Sequence, residues 1–245
     1  MSTTTPSSEL VTLSDAYDFH DFGCSTGANI AYTNEVLPSL RGLGIDIAPP
    51  KVAAARESGH DAIVFDILEL RERKQVSFVT MSHFLEHLPS LVVARSMIAK
   101  AISVSKDFVM IRQPWFDADG ELLRRGFKFY WSHWSGHRNK MTTLDFYAIL
   151  SEALHAGRIQ RFSMYGRSPV SGSDHVSIIP LSAPRNQHQY DVGTHGPKAL
   201  EQFDFAAYKE IVVRVDIGEA GQADALQSRM SPLYEVFDSD GLRVA

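Results

Sequence analysis

From residue 17 to residue 111, apolar runs alternate with amphipathic segments in a repeating order. Residues 17–22 read as a strand that ends in Gly23-Cys24-Ser25-Thr26-Gly27, and a helix opens at Ala28. Residues 43–47 read as a second strand. A helix then starts at Pro49-Pro50 and runs through residues 52–55; proline suits a first helical turn because the amide it removes has no partner there. Residues 62–66 and 76–81 read as the third and fourth strands. A long helix should follow to about Ile102, with Leu91, Val92, Met97 and Ile98 on its apolar face, before a fifth strand at 107–111. Strands alternating with helices predict a parallel sheet covered on both faces, with ligands at the strands' carboxyl ends.

The rhythm changes after residue 112. Residues 112–141 are dense in Trp, Tyr, His and Arg. Residues 142–156 read as a helix with Leu144, Tyr147, Leu150 and Leu154 on one face. Residues 158–165 and 175–179 read as an antiparallel hairpin across the Gly/Pro/Ser-rich stretch 166–174. A polar connector, 183–199, leads to the apolar segment 211–215, read as an edge strand or as the contact of a homodimer. The first 14 residues are polar and Ser/Thr-rich, and read as a loose tail.

Composition bounds the function. With 245 residues, 44% hydrophobic and 22% charged, the chain is long enough for one well-buried core. A net charge of -5 argues against nucleic acid or an anionic membrane surface as partner. The N-terminus has no secretory pattern and no apolar stretch approaches a membrane span, so a cytoplasmic address is expected. The single cysteine, Cys24, excludes an internal disulfide and a multi-cysteine metal site. It reads as packing, not as a nucleophile, because no adjacent base lowers its pKa.

Three of the first four strands carry acids at their ends: Asp21, Asp46 and Asp66. A doubly wound sheet brings those ends to one cleft. An acid after the second strand suits a ribose, whose two hydroxyls one carboxylate can accept. An acid one strand further, Asp66, suits the exocyclic amine of adenine, or else caps the short turn over residues 67–70. Asp21 reads as orienting the loop by bonding backbone amides or cofactor-bound water. A nicotinamide dinucleotide calls for Gly-x-Gly-x-x-Gly, and here Ser25 and Ala28 stand in the second and third glycine places. An adenosine without pyrophosphate is therefore favoured, with a NAD-dependent oxidoreductase as the alternative.

Asp21-x-Gly23-Cys24-x-x-Gly27, then Gly44-Ile45-Asp46, then Phe65-Asp66, then the 82–88 segment Ser-His-Phe-Leu-Glu-His-Leu, and later the 137–142 segment His-Arg-Asn-Lys-Met-Thr, occur in this order. The ordered set resembles the class I S-adenosylmethionine-dependent methyltransferases, small-molecule branch, over about residues 17–180. The resemblance implies an α/β, doubly wound, mostly parallel seven-stranded sheet of order 3-2-1-4-5-7-6 with strand 7 antiparallel. It implies a cofactor-binding core over 15–182 and a C-terminal extension, 183–245, for substrate or oligomer contact. The cofactor implied is S-adenosylmethionine (SAM), with S-adenosylhomocysteine (SAH) as product. Its contacts would come from Asp21, Gly23, Cys24, Gly27, Asp46, Ile47, Asp66, Ile67, Ser82 and His83.

If the acceptor is a hydroxyl, a base must take its proton, and His87 with His137 are the preferred pair, followed by His83. The expected acceptor wall is Arg112, Trp115, Tyr130, Trp131, His133 and Trp134, since aromatic faces interleaved with Arg and His suit a sugar or a planar small molecule. The stretch with Asp191, His195 and residues 208–211 faintly resembles sugar-modifying methyltransferases, which points to a carbohydrate hydroxyl. A cofactor-binding regulatory module without turnover is the second alternative. His83, Glu86 and His87 fall at i, i+3 and i+4, a spacing that on a helix would let them share a divalent metal. They read instead as a helix N-terminal acid beside packing histidines, and no metal is assigned.

Overall fold

The computed structural model describes residues 16–219 and 221–242. The tail expected over residues 1–14 lies outside the described residues. Strands β1 (Phe19–Phe22), β2 (Gly42–Asp46), β3 (Ala62–Val64), β4 (Val76–Ser82) and β5 (Ser105–Pro114) pair in parallel in the order 3-2-1-4-5. Helices α1 (Ala28–Val36), α2 (Pro49–Glu57) and α3 (Leu91–Val104) connect them. Every residue of β1 and β2 is buried, as expected of strands covered on both faces.

The chain continues through α4 (Asp119–Arg124), β6 (Phe127–Phe129), α5 (Thr143–His155), β7 (Arg161–Pro169), β8 (Ile178–Pro180), α6 (Val192–His195), β9 (Tyr208–Asp216), α7 (Gly221–Arg229) and β10 (Leu233–Asp238). The full sheet has eight strands in the order 3-2-1-4-5-9-7-10. β9 runs antiparallel between β5 and β7, in the place expected for strand 7, and β10 adds an antiparallel edge to β7.

Three local expectations change. The 211–215 segment is neither an edge strand nor a subunit contact, because Ile211, Val212, Val213 and Val215 are buried between β5 and β7. The 175–179 segment does not form a hairpin with β7; β8 pairs with β6 in a separate two-stranded ladder. The nine residues of β9 offer β7 a far longer apolar ladder than the three of β8, so the distant partner wins over the nearer one. Residues beyond 182 thus supply two strands of the main sheet. The long helix also starts late. Residues Leu85–His87 form a 3-10 turn, and Ser90 caps α3 by accepting from the Val93 amide at 3.4 Å. His83, Glu86 and His87 therefore do not share a helical face.

The sheet separates two cores. Phe19, Phe78 and Phe108 stack across β1, β4 and β5, with ring centroids 5.0 and 4.5 Å apart, and α1, α2 and α7 cover them. The alternate residues Val79, Met81, Val109 and Ile111 meet α3 and α5 on the other face. A capping box of Thr142 and Asp145 starts α5.

His20 lies fully buried in β1 with no partner on either ring nitrogen, and burial pulls its pKa down from 6.5 to about 4. Between those values the unfolded chain binds the proton and the folded chain does not. Stability is thus expected to fall as pH drops from about 6.5 towards 4. Urea denaturation at pH 7.5 and 5.0 should show the loss, and His20→Leu should flatten that slope.

Candidate active site

The carboxyl ends of β1, β2, β4 and β5 open into a cleft of about 670 Å³. Its floor is the turn after β1. Gly23 has φ +68°, and a Cβ there would meet the Phe84 ring at 2.1 Å. Ser25, with φ 49°, carries a side chain in the same left-handed region. Gly27, with φ +89°, donates to the Cys24 carbonyl at 2.9 Å and N-caps α1 without a side-chain cap. Uncapped first-turn amides, at Ala28 and Asn29 on the cleft wall, suit a carboxylate. Burial pushes the Cys24 thiol up to about 12.

Asp21 is buried, and its Oδ1 accepts from Asn29 Nδ2 at 2.7 Å and from Thr80 Oγ1 at 2.8 Å. Its partners are side chains; among the described residues no backbone amide, one of the two partners expected from sequence, donates to it. Its Oδ2 has no partner, and burial outweighs the two hydrogen bonds to push the carboxyl up to about 7. Asp46 accepts from the Ser25 amide at 3.0 Å and from the Ala48 amide at 2.9 Å. It ties the glycine turn to the start of α2. Ile47 beside it is 70% exposed on the cleft wall.

Not every expected contact reaches the cleft. Asp66 accepts from the Leu68 amide and caps a 3-10 turn, while Ile67 is packed in the core. Neither residue lines the cleft, and nor does Gly27, whose part is the turn itself.

The far end is formed by Ser82, His83, Phe84, His87 and Arg112. His83 Nε2 lies 2.8 Å from Glu210 Oε1, and Nδ1 lies 3.4 Å from Glu86 Oε1. Burial alone would pull His83 down, but its bonds to Glu210 and Glu86 outweigh burial and raise it to about 9. An imidazolium cannot accept a proton, so His83 is not a general base at neutral pH. Burial pushes Glu210 up, yet His83, Arg112 and Arg167 together hold it down at about 2. Arg112 donates to Ser82 Oγ at 2.8 Å and stands over the Tyr32 ring, so it belongs to the Asp46 cleft.

His83 also borders a second pocket of about 300 Å³, together with Tyr130, Trp131, Trp134, His137, Gln187, Lys209 and Glu210. The His87 ring meets Trp134 and His137 edge-on, with centroids 5.5 and 5.0 Å apart. His87 Nδ1 lies 3.1 Å from the Gly136 carbonyl, and His137 Nδ1 lies 3.0 Å from the Trp131 carbonyl. A carbonyl only accepts, so both rings donate from Nδ1, and in the neutral ring Nε2 then holds the lone pair. Burial also pulls the His137 pKa below its ordinary value.

Besides Arg112, two more residues expected on the acceptor wall lie elsewhere. Trp115 is buried edge-on against Tyr208, and its carbonyl accepts from Trp131 Nε1 at 3.1 Å, which supports that wall from behind. His133 borders a separate pocket with Asp119, Lys128 and Lys140.

Residues 20–104, from β1 to the end of α3, match a family model described as a methyltransferase domain. The matched stretch covers about a third of the chain. No curated protein sequence matches it. Among solved structures, a SAM-dependent methyltransferase from Archaeoglobus fulgidus is 14% identical, with 86% of this chain and 92% of that one covered and a TM-score of 0.56. A magnesium protoporphyrin IX methyltransferase from Synechocystis PCC 6803, with bound SAH, is 13% identical over 85% of this chain and 80% of that one, with a TM-score of 0.50. A plantazolicin methyltransferase, in complex with a pentazolic desmethyl analogue and SAH, is 12% identical over 88% and 86%, also with a TM-score of 0.50. At these identities the likeness is one of fold.

The second pocket also draws on residues that the sequence left unplaced. Glu210, Lys209 and Gln187 reach the second pocket from beyond residue 182. The signal for Glu210 was its position just before the apolar 211–215 run. An antiparallel strand begins where its parallel neighbours end, and Glu210 pairs with Pro114 at the end of β5. Among the described residues, no helix is long and apolar enough to cross a membrane.

Proposed function

We propose that the chain is a SAM-dependent O-methyltransferase acting on a hydroxyl of a sugar, glycoconjugate or other small ring compound. One observation carries the reading: the Asp46 cleft and the aromatic pocket meet at the same side chain, His83. A donor in one and an acceptor in the other are thereby brought end to end.

The cofactor is SAM, and the cleft fits it. Asp46 already accepts one amide on each oxygen. Each oxygen retains a second lone pair for a ribose hydroxyl, so the diol adds without breaking the turn. The exposed Ile47 offers an apolar face to adenine. The orphaned Oδ2 of Asp21 is an acceptor for the ammonium group of the methionine moiety. When bound, the cofactor supplies a methyl group already activated on a sulfonium. The chain's part is in-line positioning and removal of the acceptor's proton. The free Nε2 lone pairs of His87 and His137 stand at that junction, whereas His83 is already protonated.

Tyr130 and Trp134 beside Gln187 and Lys209 combine stacking faces with polar groups, which supports a ring acceptor bearing hydroxyls. The porphyrin and plantazolicin named for two fold neighbours belong to those proteins. The cofactor is an intracellular metabolite, and a cytoplasmic enzyme is the reading that goes with it. Incorporation of labelled methyl into carbohydrate and metabolite fractions tests the proposal; label confined to protein or nucleic acid would refute the acceptor class.

Two binding results are expected. Asp46→Ala should weaken SAH about thirtyfold by calorimetry, from the loss of about 2 kcal/mol of charged hydrogen bonding. Asp21 must be ionised to receive an ammonium group, and its pKa near 7 means it is mostly neutral at pH 6. SAH affinity should therefore rise about tenfold from pH 6 to pH 8. A flat profile would remove Asp21 from the contact.

A further inference from the structure

We infer that Lys128, His133, Lys140 and Arg185 form a phosphate site beside the acceptor pocket, and that the acceptor is a phosphate ester whose ring lies in that pocket. The place of the ring rests on the transferase reading, whereas the phosphate site rests on the charges around its own pocket. That pocket, of about 240 Å³, is walled by Asp119, Phe127, Lys128, Ser132, His133 and Lys140. It has room for a phosphoryl group and the first atoms to which the group is esterified. Arg185 is exposed, and its charge acts on both Lys128 and His133. The whole chain is acidic, with a net charge of -5, yet positive groups outnumber acids here.

The decisive residue is Lys128. It sits in β6 opposite Ile179 of β8 and is 5% exposed. Its Nζ donates to the Leu181 carbonyl at 3.1 Å and to the Ala183 carbonyl at 2.5 Å. Two of its three donors are thus used, and neither partner carries a charge. Among the described residues, no carboxylate forms an ion pair with it. A buried ammonium is costly without a counter-charge. Burial first, and then the charge of Arg185, pull its pKa below the ordinary lysine value. An anion held between the two relieves both penalties.

His133, half-buried, stands in the same field. Burial first, then Lys128, Lys140 and Arg185, pull its pKa down. The acid on the wall is Asp119. Its Oδ1 accepts from Ser132 Oγ at 2.6 Å, and burial outweighs that bond and the charge of Lys140 to push the carboxyl up to about 6. Asp119 can balance Lys140, but Lys128 and Arg185 then remain. Their two charges match a phosphate monoester, which carries about -1.5 to -2 near pH 7. A carboxylate ligand would answer one of them and leave the other.

Three chain segments serve both pockets. β6 and the turn after it give Lys128, Ser132 and His133 to the phosphate site, and Tyr130, Trp131 and Trp134 to the acceptor pocket. The next loop gives Lys140 to one and His137 to the other. In the third segment, Arg185 acts on the phosphate site and Gln187 lines the acceptor pocket. Residues two apart in sequence are separated by at most about 7 Å, so the two sites lie side by side. The Lys128 ammonium also fastens residues 181 and 183 to β6, which sets where Arg185 and Gln187 begin. A sugar phosphate with its ring against Tyr130 and Trp134 and its phosphate at Lys128 spans both. The phosphate takes no part in methyl transfer; it fixes which ring hydroxyl faces His83.

The test is calorimetry on the full-length chain at pH 7.0 and low salt, with inorganic phosphate and then glucose 1-phosphate, glucose 6-phosphate and mannose 1-phosphate as probes. Phosphate should bind at one site per chain. Lys128→Met should abolish that binding, while Lys140→Ala and His133→Ala, which disturb no fully buried position, should each weaken it about fivefold. Asp119→Asn should tighten it about threefold, the opposite of what a cationic ligand would show. Lys106→Ala, exposed at the amino end of β5, should leave it unchanged. The best hexose phosphate should bind about tenfold tighter than phosphate, and Trp134→Ala should remove that gain without affecting phosphate itself. No saturable phosphate binding, or undiminished binding in both Lys140→Ala and His133→Ala, would overturn the site. Equal affinity for phosphate and all three hexose phosphates would make it a site for free phosphate and overturn its place in acceptor recognition. SAH titrated into the same samples separates the claims. SAH binding without phosphate binding defeats the phosphate site alone, and phosphate binding without SAH binding defeats the transferase reading.

Discussion

Gly23→Ala is expected to abolish measurable SAH binding and to lower stability by about 3 kcal/mol. Two effects add at this position. A side chain at φ +68° costs about 1–2 kcal/mol, and the new Cβ would sit 2.1 Å from Cδ2 and 2.5 Å from Cγ of Phe84. Because Cγ lies at the root of the ring, Phe84 cannot swing clear by moving its tip. The whole side chain must shift, at an overpacking cost of about 1–3 kcal/mol, and Phe84 is itself a wall of the cleft. Ser25 provides the control. It is also left-handed, with φ 49°, yet it is a native residue. Ser25→Gly should leave SAH affinity unchanged and raise stability by up to about 1 kcal/mol. Urea denaturation and calorimetry on both variants distinguish a need for space, which only Gly23 has, from a need for backbone freedom, which both positions share.

Glu210→Ala is expected to destabilise the fold by about 3 kcal/mol and to abolish methyl transfer. Glu210 meets His83 at 2.8 Å, Arg167 at 2.7 Å and Arg112 at 3.9 Å, with its side chain only 17% exposed. Its removal leaves three positive groups with one carboxylate, Glu86, 3.4 Å from His83. The surface pair Arg95–Glu152 shows the contrast: both side chains are about half exposed, and Glu152→Ala should cost less than about 1 kcal/mol. Glu210→Gln keeps the shape and loses the charge, and should fall between wild type and Glu210→Ala. Equal stability of Glu210→Ala and wild type would show that the cluster is merely solvated.

The parallel half of the sheet was legible because each unit is local. A short apolar run, a turn and a helix announce themselves within about 30 residues, and the acid that ends β2 comes with its strand. The antiparallel half was not legible in the same way. β9 inserts between β5 and β7 from about 100 residues beyond β5, and no local pattern specifies such a pairing. The hairpin expected for residues 175–179 failed for that reason. Glu210 was missed for the same reason, and with it the charge state of His83, whose partner lies 127 residues away. Helical spacing grouped the histidines of the 82–88 segment with Glu86. The segment folds as a 3-10 turn, and the neighbour it meets is His137. Asp66 showed the limit of reading strand ends, since a carboxylate there found the Leu68 amide nearer than any cleft.

The most direct test of the central claim, that the cleft floored by Gly23 and walled by Asp46 binds SAM, is a calorimetric titration of the wild-type chain with SAH, repeated with NADH. One saturable SAH site per chain with micromolar affinity, and no heat from NADH, is the result predicted. An absence of SAH binding, or saturable binding of NADH in its place, would contradict it.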